Sequence, residues 1–272
     1  MHIITFERHG TVQHGIRNGE TVQLCPGAKS AIDLAMNGAP QSGEAVALSE
    51  VKLLPPVPRP GKIICIGLNY RAHAIEGGNA IPDYPAVFMR CTTSLAGPNA
   101  ALIFPKCSDK FDYEAELAVV IGKTATAVSA ADALDYVAGY SCFNDGSVRD
   151  YQRKSTQWTM GKNFDGTGGF GPELVTPDEL PAGASGLRLV ARLNGEIMQD
   201  SDTGDMIFDV ATLIATLSEG MTLEPGDVIA TGTPSGVGYA RTPPVFMKPG
   251  DVIEIEIEKI GVLTNTIARR GA

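Results

Sequence analysis

The sequence predicts a mainly β protein with a few helices, preceded by a small N-terminal α+β domain, and three observations carry that expectation. Short apolar runs are punctuated throughout by 31 glycines and 18 prolines, the spacing of a sandwich or barrel rather than of a doubly wound parallel sheet. Val252-Ile-Glu-Ile-Glu-Ile-Glu258 alternates strictly, setting three isoleucines on one face of a strand and three glutamates on the other. Leu53-Leu-Pro-Pro-Val-Pro-Arg-Pro-Gly61 holds four prolines and a glycine in nine residues, so it forms neither a helix nor a full strand ladder. It marks the boundary expected between a domain at 1–55 and a larger one at 62–272.

Within the small domain, 3–6 and 21–24 read as strands and 29–36 as a helix. In the larger one, 117–121 is apolar on both faces, which implies a buried strand. Ser129 reads as an N-cap with Asp132 three residues on, predicting a helix to about 137. Tyr140-Ser-Cys-Phe143 reads as a strand. Val210, Leu213, Ile214 and Leu217 recur at helical spacing. Pro225-Gly-Asp227 and Pro249-Gly-Asp251 are near copies of one turn signal, each followed by a strand.

Composition narrows the function. Hydrophobic residues make up 43% of the 272, enough for a core, and the formal net charge is -9. An acidic chain without basic clusters suits neither nucleic acid nor an anionic membrane. No apolar run has the length of a membrane span, and Glu7 and Arg8 interrupt the place of a signal peptide's apolar stretch. Five dispersed cysteines, with no C-x-x-C pair, read as reduced thiols. A cytoplasmic protein is expected, with no nucleic-acid or membrane partner.

The strongest chemical signal is Phe111-Asp-Tyr-Glu-Ala-Glu-Leu-Ala-Val-Val-Ile-Gly122. Glu114 and Glu116, two apart, point to one face at the entrance of a buried strand. There they need protons, cationic partners or a metal. Asp145, after the 140–143 run, is a candidate third carboxylate, although by spacing alone it reads as a turn-former before Gly146. Three carboxylates would suit Mg2+ or Mn2+ better than zinc. His73, the lone histidine beyond the first fourteen residues, shares a helical face with Glu76, and Gly77-Gly78 follows as a hinge. Taken alone it reads as an ordinary surface or satisfied histidine. Gly166-Thr-Gly-Gly-Phe-Gly171 matches a dinucleotide fingerprint only formally, because no apolar strand precedes it and Pro172 follows. Thr231-Gly-Thr-Pro-Ser-Gly-Val-Gly238 is no phosphate loop, but it offers backbone N–H groups to an anion.

Eight stretches in order resemble the fumarylacetoacetate hydrolase family, from about Gly61 to Ile267. They are Gly67-Leu-Asn-Tyr-Arg-Ala-His73, Pro85-Ala-Val-Phe-Met-Arg90, Asp112-Tyr-Glu-Ala-Glu-Leu117, Asn144-Asp-Gly-Ser-Val-Arg-Asp150, Trp158-Thr-Met-Gly-Lys162, Leu193-Asn-Gly195, Thr231-Gly-Thr-Pro234 and Lys248-Pro-Gly-Asp251. The resemblance implies that family's β-sandwich roll, usually as a homodimer. It implies Glu114, Glu116 and Asp145 as ligands of Mg2+ or Mn2+, His73 and Glu76 as a catalytic lid dyad, and Lys162 facing an enolate oxygen. Arg149, Gln152 and Thr233 match positions that hold substrate oxygens. Two departures stand out: Arg90, where many relatives have lysine, and Gly146, where a larger residue is common.

The function expected is hydrolysis of a C–C bond in a 3-acylpyruvate, a small 2-oxo acid substrate, through a metal-stabilised pyruvate enolate. The segment 70–85 is expected to close over the substrate. Oxaloacetate decarboxylation, or isomerisation or hydration of an unsaturated 2-oxo dicarboxylate, would use the same site. A non-catalytic ligand-binding module would show eroded carboxylates or an eroded dyad, and both are present.

Overall fold

The strand Ala115–Ile121 lies between two hydrophobic cores, and all seven of its residues are buried. Leu117, Val119 and Ile121 face one core together with Ile253, Ile255, Ile257 and Leu263. Ala118 and Val120 face the other, with Ile63, Phe143 and Phe170. A strand covered on both sides has no solvent face to present, which is why the run is apolar throughout.

The computed structural model describes residues 1–41 and 43–271. Among them a 12-stranded sheet runs in the order Ala45–Ala47, Thr21–Leu24, Thr11–Asn18, His2–Arg8, Gly168–Val175, Val137–Asn144, Ala115–Ile121, Val228–Ala230, Ile63–Gly67, Ala86–Arg90. Lys52–Leu54 and Leu95–Ala96 pair beside this path. The N-terminal strands are hydrogen-bonded into this sheet: His2–Arg8 lies antiparallel to Gly168–Val175, with His2 opposite Val175. A five-stranded sheet, Glu196–Asp202, Arg188–Leu193, Val252–Ile257, Gly261–Ala268, Leu102–Ile103, supplies the other wall of the first core. In Val252–Ile257 the isoleucines are buried. The glutamates look outward, and Glu256 pairs with Arg192 at 2.5 Å.

The helix Val210–Gly220 is capped by Asp209, which accepts from the Thr212 N–H, and buries Val210, Leu213, Ile214 and Leu217 as their spacing predicts. Ala31–Asn37 is capped by Ser30. The helix predicted from Ser129 does not form. The Ser129 hydroxyl donates to the Asp132 carboxylate at 2.7 Å instead of capping, and only a short 3-10 turn, Ala133–Tyr136, precedes a strand that begins at Val137. That strand pairs along the whole of Ala115–Ile121, so sheet pairing outweighs the local capping signal. Cys25, Cys65 and Cys142 are buried, Cys91 and Cys107 exposed, and all five are free. Among the described residues no helix is long and apolar enough to cross a membrane.

Candidate active site

The site forms where two neighbouring strands end. Ala115 pairs with Asn144, the Asn144 side chain accepts from the Glu114 N–H at 3.0 Å, and the Asp145 N–H donates to the Glu114 carbonyl at 2.9 Å. These bonds bring Asp145 beside Glu114 and Glu116. The three buried carboxylates offer oxygens all within 4.8 Å of one another.

Cationic side chains surround them. Lys162 Nζ lies 2.5 Å from Glu114 and 2.6 Å from Asp145. Arg149 pairs with Asp112 at 2.8 Å and with Glu114 at 2.7 Å. Arg90 donates to Asp145 Oδ1 at 2.5 Å, to the Gly146 carbonyl at 3.1 Å, to Thr167 Oγ1 at 3.0 Å and to Ser94 Oγ at 3.2 Å. Burial works to raise the Glu114 carboxyl, but Arg149 and Lys162 outweigh it and hold it well below the usual range. Burial likewise works to lower Lys162, and Asp145 and Glu114 hold its ammonium above the ordinary value. Glu116 is different. Burial, Asp145 and Glu114 all push its carboxyl well above the carboxylate range, against the Gly232 N–H that donates to it at 2.9 Å.

A divalent cation fits this arrangement. Four buried carboxyls, Asp112, Glu114, Glu116 and Asp145, stand against three buried cationic side chains, Arg90, Arg149 and Lys162. Among the described residues Glu116 is the one of the four without an ion pair, a carboxyl that a bound cation would ionise, and the donor set is all hard oxygen.

Eight of the nine residues expected at the site, His73, Glu114, Glu116, Asp145, Arg149, Gln152, Lys162 and Thr233, line one cavity of about 220 Å³. Glu76 stands just behind His73. The helix Arg71–Glu76 buries His73, whose Nδ1 lies 3.3 Å from Glu76 Oε2, leaving Nε2 for the cavity. Glu76 also accepts from the Gly236 N–H at 2.9 Å, so the helix Arg71–Glu76 is fastened to the 231–238 loop. Burial works to raise Glu76, but the bonds from His73 and Gly236 leave it below its ordinary value. Three backbone N–H groups of that loop, those of Gly232, Gly236 and Gly238, are thus engaged by carboxylates of the chain itself.

The two departures, Arg90 and Gly146, stand behind Asp145 rather than in the cavity wall. Gly146 is held to glycine by space, because a Cβ there would run into the Thr167 carbonyl. Several residues at the site carry no role in the sequence reading. Trp158 and Phe88 form an apolar wall, edge to face at 5.5 Å. Tyr239 stacks under Arg149 and Arg153 at 4.4 and 4.5 Å. Asp112 anchors Arg149 and accepts from the N–H groups of Gly238 and Tyr239. Its position two residues before Glu114 in the sequence, continuing the spacing of Glu114 and Glu116, is a signal that could have found it.

The family described as Fumarylacetoacetate (FAA) hydrolase C-terminal matches residues 62–268. The chain belongs to the fumarylacetoacetate hydrolase family. A second family, described as Rv2993c-like, N-terminal, matches residues 1–56. The chain is 48% identical over 225 residues to a Bacillus subtilis (strain 168) protein named oxaloacetate tautomerase, covering 81% of this chain and 74% of that one. It is 42% identical over 247 residues to a mitochondrial oxaloacetate tautomerase of Rattus norvegicus, covering 90% and 79%. Among solved structures of the fumarylacetoacetate hydrolase family, the fumarylacetoacetate hydrolase of Exiguobacterium antarcticum superposes with a TM-score of 0.88 at 36% identity, over 99% of this chain and 100% of that one. A 2-hydroxyhepta-2,4-diene-1,7-dioate isomerase from Mycobacterium marinum gives 0.84 at 34%, over 100% of both. These relatives bear the names of enzymes, and the names span hydrolysis, tautomerisation and isomerisation.

Proposed function

We propose that the chain is a divalent-metal-dependent enzyme that interconverts the keto and enol forms of a small 2-oxo dicarboxylate of the oxaloacetate type. The observation that carries this reading is Arg149 Nη2, buried without a hydrogen-bond partner on a side chain that lines a small, largely polar cavity. A buried guanidinium nitrogen with no acceptor is costly, and a second carboxylate on the substrate supplies one. The oxaloacetate tautomerases among the relatives support the same substrate class.

In this reading Glu114, Glu116 and Asp145 would hold Mg2+ or Mn2+, which would supply a Lewis acid for developing negative oxygen. His73, oriented by Glu76, takes the proton from the carbon between the two carbonyl groups. Lys162 faces the enolate oxygen and returns a proton there, while Arg149, Gln152 and Thr233 hold the carboxylate oxygens. The lid helix keeps bulk water from the enolate. C–C hydrolysis of a 3-acylpyruvate is the second reading. It is favoured by the His73–Glu76 pair, which is equally placed to activate a water. Decarboxylation of oxaloacetate would pass through the same enolate.

The test is a set of three assays on the Mg2+-loaded protein. Accelerated decay of the ultraviolet absorbance of enol-oxaloacetate, without pyruvate or CO2 release, is the expected result. Pyruvate release from acylpyruvates with no effect on the enol would replace the first reading by the second. The proposal includes a homodimer: Val87 and Met89 are exposed on the edge strand Ala86–Arg90, and light scattering is expected to give twice the chain mass.

A further inference from the structure

Gln199 stands on the strand Glu196–Asp202 of the smaller sheet, outside every stretch that carries the family resemblance. Its side chain is nevertheless buried, 1% exposed, and reaches the site from behind. Oε1 accepts from the Ala115 N–H at 2.9 Å, between the two glutamates of the acidic strand. Nε2 donates to the Pro234 carbonyl at 2.9 Å and to Thr233 Oγ1 at 2.8 Å.

Chemistry fixes which end of this amide is which. A backbone N–H only donates and a proline carbonyl only accepts, so the oxygen must face Ala115 and the nitrogen Pro234. Both Nε2 hydrogens are then engaged, one on Pro234 and one on Thr233. A threonine hydroxyl has one proton and two lone pairs. With Gln199 donating into one lone pair, the proton must leave on another side. Among the described residues Thr233 Oγ1 has no other side-chain partner, and Thr233 lines the cavity.

We propose that Gln199 is a positioning residue that sets the polarity of the Thr233 hydroxyl, turning it into a donor toward the cavity. The site thereby selects, at that point, a substrate oxygen that only accepts, a carboxylate or enolate oxygen. This rests on the reading of the cavity as a 2-oxo acid site.

Gln199→Glu is nearly isosteric but inverts the logic. A carboxylate still accepts from Ala115, yet it now also accepts from Thr233, so the hydroxyl proton turns away and lone pairs face the cavity. Calorimetric affinity for oxalate on the Mg2+-loaded protein is expected to fall about tenfold. In a Thr233→Val background Gln199→Glu should cost nothing further. An unchanged affinity in Gln199→Glu, or a penalty that persists without the Thr233 hydroxyl, would overturn the proposal and point to bare charge repulsion. Neutron diffraction of the ligand-free protein decides the hydroxyl independently: a Thr233 deuteron aimed into the cavity supports the assignment, and one aimed at Gln199 refutes it. Wild-type protein that ignores oxalate would refute the 2-oxo acid reading instead.

Discussion

Lys162 bridges Glu114 and Asp145, each of which has one arginine besides, Arg149 and Arg90, so deleting its charge removes the one cation the two buried carboxylates share. Lys162→Met is expected to cost the metal-free protein about 3 kcal/mol in urea unfolding, and to lower turnover at least a hundredfold. Arg90 makes a subtler prediction. Its planar fork spans Asp145, Gly146, Ser94 and Thr167, which a point-like ammonium cannot do. Arg90→Lys is therefore expected to leave the fold intact and weaken Mn2+ binding about tenfold, read by electron paramagnetic resonance of free Mn2+. Lys162 entered only through the family resemblance, whereas two of the site's carboxylates were legible in the residues themselves. Glu114 and Glu116 announce themselves by a two-residue spacing at the mouth of an apolar run, and that local pattern is what the strand then enforces. Gln199 left no such trace, because its meaning depends on Ala115 and Thr233, which only the folded chain brings near.

Among elements, the helix Val210–Gly220 shows the easy case and 129–137 the hard one. In the first, one face carries the buried residues, the cap is local, and nothing competes. Leu213→Ala is expected to lower stability by about 3 kcal/mol in chemical denaturation, from lost burial and a residual cavity. In the second, a capping pattern was outweighed by pairing with a strand twenty residues earlier, which no local window contains. The helix Arg71–Glu76 was legible as a helical turn, but its fastening to Gly236 was not. Glu76 is held below its ordinary carboxyl value of 4.5, so the charged form is the one the fold favours. Its contribution is full above the unfolded value and is lost as pH falls through the lower folded value. Amide exchange in 71–78, corrected for its intrinsic pH dependence, should stay protected through pH 5 and loosen only in stronger acid. Glu76→Gln should remove that transition and raise exchange at neutral pH.

For the molecule as a whole, the expectation of a β-rich protein rested on punctuation and alternation, both of which survive folding because both describe backbone geometry. Strand order was out of reach for the opposite reason. Neighbours such as His2 and Val175 are matched by shape across most of the chain, and no residue in either strand names its partner. The strand Thr11–Asn18 carries no clear strand signal either, its half-exposed residues and central Gly15 masking the alternation. The long pairing of the first strand has a bearing on how the protein is made. On the ribosome, 2–24 can fold back on itself as soon as it emerges, since its hairpin partners are adjacent. The other edge of His2–Arg8 takes Lys52–Leu54 against Thr5–Glu7, whereas His2 and Ile3 must wait for Val175 and Leu174, and until then that short stretch of unpaired backbone is open to other nascent chains.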